Sequence, residues 1–221
     1  MKKIVISSLT ALALSSFPMI AMADTNSGSP SSAVMSAKQY ETYLVNQNTP
    51  MATTILSKFE VLSASEQGKF LKALSDPSAL TMTTNVNNNA IAPSVTPSIV
   101  PGGGGGPVNG TFTNYNSYTI EYSVGNIPLI KYNEDITYTT SNNVITQING
   151  SEAYVAYDYD PVVGTSLQST MPEIVNNQAE IFAVFGIGAG VGSGYVQTGT
   201  VHLNMICNYW GGVSSTNNYE A

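Results

Sequence analysis

Ser117-Tyr118-Thr119-Ile120-Glu121-Tyr122-Ser123-Val124 sets the architecture of this chain. Tyr118, Ile120, Tyr122 and Val124 alternate with Ser117, Thr119, Glu121 and Ser123, a period of two that gives a strand one apolar and one polar face. Ile130, Tyr132, Ile136 and Tyr138 repeat the habit on a second strand. Asn142-Asn143 and Asn149-Gly150 read as turn pairs, because Asn and Gly tolerate the positive φ of tight hairpins. They delimit further strands at Val144–Ile148 and Glu152–Tyr159. After an irregular stretch around Pro161 to Pro172, Ala179–Gly192 and Tyr195–Tyr209 make a last long pair. Six or seven sequential strands with short turns and no intervening helices predict an antiparallel sandwich or a strongly curled sheet. This β domain runs from 111 to 210, with 211–221 as a C-terminal tail.

Upstream, over 36–75, the period lengthens to that of a helix. Ser36 and Gln39 have the spacing of a capping box, followed by Tyr40, Tyr43 and Leu44 at helical intervals. Thr49-Pro50 opens a second helix, since proline at the first position gives up only an N–H that would be unpaired, and Met51, Ile55, Phe59 and Leu62 form its stripe. Ser63 with Glu66 opens a third, carrying Phe70, Leu71 and Leu74 and ending before Pro77. Helices this short must pack on each other or on the remainder of the chain. Residues 76–110 read as a linker: Pro77, Pro93, Pro97, Pro101 and Pro107 deny regular pairing, Asn87 to Asn89 favour turns, and Gly102 to Gly106 is a run of maximal backbone freedom. With no Lys-Ser/Thr behind it, that run is a hinge and not a phosphate loop. The fold class is therefore mainly β with a small helical N-terminal segment.

The first 23 residues read as a cleavable export signal. Lys2 and Lys3 precede an apolar stretch from Ile4 to Ile20, and Ala21-Met22-Ala23 fits the small-x-small cleavage pattern, so the exported chain begins at Asp24. Residues 24–35 are small and polar and are expected to form a disordered arm. All seven basic residues of the 221 are lysines. Cleavage leaves five of them against 14 acids, a net charge of about −9. Without arginine forks or a basic patch the chain is not equipped to bind nucleic acid. The single cysteine, Cys207, allows no intrachain disulfide.

Catalytic constellations are sparse. In Val201-His202-Leu203-Asn204-Met205-Ile206-Cys207-Asn208-Tyr209, alternation puts Cys207 on the face of Val201, Leu203, Met205 and Tyr209 and His202 on the other, so the one thiol and the one imidazole point apart. Asp158 and Asp160 share a face at the end of a strand, and Glu134-Asp135 lies in an earlier strand that could sit nearby. An oxygen-only group of this kind, Asp158, Asp160, Glu134 and Asp135, would suit calcium. A solvated acidic turn is the plainer reading, since no calcium loop of the D-x-[DN]-x-[DN]-G type is present. The same acids form the pair a glycosidase would use, with their separation left open by the sequence.

Glycine occupies every even position from 186 to 194, namely Gly186, Gly188, Gly190, Gly192 and Gly194. In a strand these give one bare face on which another group can pack closely; in a helix they would give a ridge for contact within a membrane. The uncharged stretch 181–196 is short for a helical span, so a core strand is the favoured reading. Eleven of the 13 tyrosines follow residue 108, mixed with Asn and Thr. Rings that stack and amides that hydrogen-bond suit a carbohydrate or protein surface, and Tyr154, off the apolar parity, is a candidate for recognition together with Asp158 and Asp160. Taken together the residues predict an exported, non-catalytic binding or surface module. A membrane-active protein acting through 181–196 is the alternative, and a hydrolase using the acidic residues the third reading.

Overall fold

A computed structural model describes residues 35–91, 110–191 and 194–221. The export signal of residues 1–23, the arm up to residue 34 and the glycine run of 102–106 lie outside the described residues. Three helices come first: α1 Ala37–Gln47, α2 Pro50–Glu60 and α3 Ala64–Ala73. Both capping boxes form, with the Ser36 and Ser63 hydroxyls accepting from the amides of Gln39 and Glu66 and the longer side chains reaching back. The apolar stripes converge on an aromatic cluster in which Tyr40 lies 5.0 Å from Phe59 and 5.3 Å from Phe70 between ring centroids. Edge-to-face and tilted rings at such distances add to the burial energy of the three side chains.

Eight strands come next among the described residues: β1 Thr81–Ile91, β2 Thr111–Val124, β3 Ile127–Ser141, β4 Val144–Asp158, β5 Val163–Val175, β6 Gln178–Val191, β7 Gly194–Asn208 and β8 Val213–Glu220. They form two antiparallel four-stranded meanders, β1-β2-β3-β4 and β5-β6-β7-β8, packed as a β-sandwich. Even-numbered residues of β2 and β3 point inward, and odd-numbered residues of β6 and β7 meet them from the other side. Ile120, Tyr132, Phe185 and Leu203 are all buried there, each contributing about 1.5–3 kcal/mol on leaving water. Tyr132 stacks obliquely on Phe185 at 4.7 Å across the sandwich.

An inward tyrosine must satisfy its hydroxyl, and here it does so on the opposite sheet. Tyr118 donates to Asn218 Oδ1 at 2.8 Å, Tyr122 to Glu220 Oε1 at 2.8 Å and Tyr138 to the Asn208 carbonyl at 2.7 Å. The helices cap one end of the sandwich: Tyr40 donates to the Tyr159 carbonyl, Thr49 Oγ1 pairs with the Tyr159 hydroxyl, and Lys58 Nζ reaches the Asn126 carbonyl in the β2–β3 turn.

Four local expectations are corrected. The stretch expected to be linker contains β1, paired with β2 over all of its eleven residues. Asn149-Gly150 is no turn; the register passes from Gly150 to Ile148 opposite Thr137 and Tyr138, so Asn149 is the extra residue of a β-bulge inside one continuous β4. Its side chain compensates by donating to Thr139 Oγ1 at 2.8 Å. The irregular stretch of 161–172 is mostly β5, where Pro172 is tolerated because β5 is an edge and the missing N–H can fall on the open side. The tail of 211–221 contains β8, hydrogen-bonded to β7.

Candidate functional site

Residues turned outward on the first sheet form a polar grid. The register sets Asn85, Thr119, Asn133 and Tyr154 in one row across four strands, Thr83, Glu121, Lys131 and Tyr157 in a second, and Asn87, Ser117, Asp135 and Glu152 in a third. These are the strands' off-core positions, and they carry mostly amides, hydroxyls and carboxylates, with Tyr157 the one that also packs against the core cluster. The middle row is internally ordered: Thr119 Oγ1 donates to Asn133 Oδ1 at 3.0 Å, and Asn133 Nδ2 donates to the Tyr154 hydroxyl at 2.8 Å. Tyr154 thus accepts within the row and keeps its own proton for a further acceptor. In the next row Tyr157 donates to Glu121 Oε2 at 2.5 Å. Burial first, and that carboxylate second, hold the Tyr157 phenol well above its ordinary range. Burial and a hydrogen bond to Asp135 likewise raise that of Tyr115.

Two adjoining hollows open on this face. One of 410 Å³ is lined by Asn85, Val86, Asn87, Ser117, Thr119, Lys131 and Asn133, and one of 270 Å³ by Thr83, Thr84, Asn85, Thr119, Glu121 and Lys131. Lys131, the only lysine after residue 108, borders both and makes no ion pair among the described residues. The wall therefore offers an unpaired ammonium, amide donors and acceptors, hydroxyls and a carboxylate, with tyrosine rings on the far strand. Neither His202 nor Cys207 lies on it, and its hydroxyl–carboxylate contacts are Tyr157 with Glu121 and Tyr115 with Asp135. Of these residues the sequence pointed only to Tyr154 and Asp135. The readable signal was parity: 117, 119, 121, 131 and 133 are polar and off the core on two adjacent strands, whereas Asn85 and Asn87 were hidden in a segment that resembles a linker.

The other expected residues fall in different places. Asp158 and Asp160 sit where β4 turns over to β5 beneath the helical cap. Asp158 accepts from the Asp160 amide at 3.1 Å and from Thr165 Oγ1 at 2.9 Å, while Asp160 Oδ1 accepts from the amides of Val162 and Val163. Asp160 is 3% exposed, and its Oδ2 has no partner. Burial pushes Asp158 up to about 6 and, with help from the neighbouring carboxylate, Asp160 to about 7. They in turn raise the phenol of Tyr43, itself displaced mainly by burial.

Glu134 and Asp135 do not join them. Glu134 points into the sandwich core opposite Tyr118 and Ala153, Asp135 points out, and Asp158 pairs four residues away at Ile130. No three His, Cys, Asp or Glu side chains among the described residues gather at one point, so the four-carboxylate calcium set does not assemble.

Cys207 is fully buried, its thiol pushed up to about 12 chiefly by burial. His202 lies on the opposite face, bonded to Thr200 Oγ1 at 2.8 Å and stacked on Tyr219 at 4.3 Å. The glycine-rich segment is strand, not helix: Gly186, Gly188 and Gly190 lie in β6 and Gly194 begins β7, while Gly192 lies outside the described residues. At Gly186 the close approach is direct, since a Cβ there would stand 2.5 Å from Gln168 Nε2 of β5. No helix is long and apolar enough to cross a membrane among the described residues.

Neither a protein-family model, nor a curated protein, nor a solved structure matches this chain.

Proposed function

We propose that this chain is an exported, non-catalytic binding module whose ligand face is the outer surface of the first sheet, and that the ligand is a polyhydroxylated chain such as a polysaccharide. The observation that carries this reading is the coincidence of both hollows with the ordered Thr119–Asn133–Tyr154 row and the unpaired Lys131. A flat face four strands wide, lined with paired donors and acceptors and edged by tyrosine rings, suits an extended sugar chain better than a compact substrate. The acidic charge disfavours anionic partners, and Glu121 and Asp135 supply acceptors for sugar hydroxyls.

Affinity electrophoresis through gels containing neutral polysaccharides, followed by calorimetry with oligosaccharides from whichever retards the protein, tests this reading. Lys131→Ala and Asn133→Ala should each weaken binding about tenfold, the value of one or two lost hydrogen bonds, at unchanged melting temperature. An unretarded wild type would remove the reading. Release of dye from vesicles by the wild type would replace it with membrane activity through 181–196.

A further inference from the structure

The sandwich has four edge strands, and three of them carry a guard against pairing with another chain. β5 contains Pro172 and Glu173, β4 is kinked by bulges and carries Glu152, and β8 is only 8 residues long and ends on Glu220. β1 has none of these. Its eleven residues, Thr81-Met-Thr-Thr-Asn-Val-Asn-Asn-Asn-Ala-Ile91, include no charge and no proline, and its register with β2 runs without a bulge. Residues 81–88 are all exposed. Among the described residues β8 reaches β1 only at side chains, the Val213 amide donating to Asn88 Oδ1 at 3.1 Å and Asn218 Nδ2 to Met82 Sδ at 3.0 Å, and no backbone–backbone bond reaches the strand's outer edge.

We propose that β1 is the seat of self-association, pairing antiparallel with β1 of a second copy about a two-fold axis at Val86. Two features point to a copy of the same chain. A two-fold pair centred on Val86 sets Asn85 opposite Asn87 and Thr84 opposite Asn88, so that amides face amides and hydroxyls face amides with no mismatch of parity. The edge is also neutral in a chain of net charge −7; alone among the four edge strands it brings no charged side chain of its own to the contact between two copies. The product is an eight-stranded sheet across both protomers. Its formation rests on edge chemistry alone, whatever ligand the outer face takes.

Light scattering coupled to gel filtration, over a wide range of concentration, should show the purified chain passing from monomer to dimer, as expected for a small interface. Val86→Lys places an ammonium at the centre of the seam and should leave a monomer at all concentrations with an unchanged far-ultraviolet spectrum. Should that variant fold poorly, Val86→Cys provides the second measurement. Residues facing each other on a two-fold axis bring their Cβ atoms within disulfide reach, so mild oxidation should yield a covalent dimer, whereas Thr53→Cys on the exposed face of α2 should not. A wild type that stays monomeric at the highest concentration, or a dimer that Val86→Cys does not cross-link, overturns the proposal.

Discussion

Glu134 is a carboxyl enclosed by two sheets, 0% exposed, with neither oxygen hydrogen-bonded by ordinary geometry. Burial pushes it up to about 9, an effect that the Ala183 backbone of the facing sheet offsets only in part. It is therefore a neutral acid at physiological pH, sitting in the core as a polar but uncharged group. Unfolded, it ionises near its ordinary 4.5. Between those two values the folded state holds a proton that the unfolded state has released, so its stabilising effect is complete below the lower value and is lost as pH climbs towards the upper. Glu134→Gln keeps the shape and removes the ionisation. Urea unfolding at about pH 5 and about pH 9 should show the variant gaining on the order of 2 kcal/mol over wild type at the higher pH only. An equal pH dependence in both proteins would clear Glu134 of the effect.

The two Asn-Asn turns show how elements lock together. Asn142, Asn143, Asn176 and Asn177 all have φ between 50° and 65°, a left-handed conformation that asparagine tolerates and most residues resist. The β5–β6 turn also reaches across to the β3–β4 turn: Asn177 Oδ1 accepts from the Ile145 amide at 2.7 Å and its Nδ2 donates to the Asn143 carbonyl at 2.9 Å. Asn177→Ala should cost on the order of 2–3 kcal/mol, about one for the backbone and one for each bond, while Asn143→Gly should be neutral within about half a kcal/mol. Equal losses in thermal unfolding would show that the cross-turn bonds contribute nothing. The first of these turns was readable because it is flanked by apolar alternation. β1, β5 and β8 were not, since period two records burial and an edge strand buries little; runs such as Asn87-Asn88-Asn89 then look like turn chemistry. Asn149-Gly150 misled for a related reason, as the residues that make hairpins also make bulges. The polar outer face of the first sheet was legible only as parity, because its residues become a surface once β1 joins the sheet.

At the scale of the molecule, the helical cap rests on Tyr159, between Asp158 and Asp160, and neither acid forms an ion pair among the described residues. Unfolded, these acids titrate at their ordinary 3.8; folded, at about 6 and about 7. The docked state is accordingly strongest in acid and loosens as pH rises through the neutral range. Hydrogen exchange of α1 amides, corrected for the intrinsic pH effect, should reveal about 1–3 kcal/mol less protection at about pH 8 than at about pH 5. Asp160→Asn keeps the acceptor for Val162 and Val163 and should remove the larger part of that difference, leaving the share of Asp158; a difference undiminished by Asp160→Asn would place its origin elsewhere.

The meander order of the two sheets has a kinetic corollary. Among the described residues every strand pairs only with its neighbours in sequence, so the second sheet, and β2-β3-β4 of the first, can zip up hairpin by hairpin without first closing a long loop, whereas β1 must close the connection 92–110 to reach β2. The slow, non-local event is then the meeting of two half-formed meanders hinged at residues 159–162. A nascent chain emerging from synthesis or translocation would complete its first sheet before the second exists, exposing an apolar face that only its own later half is shaped to cover.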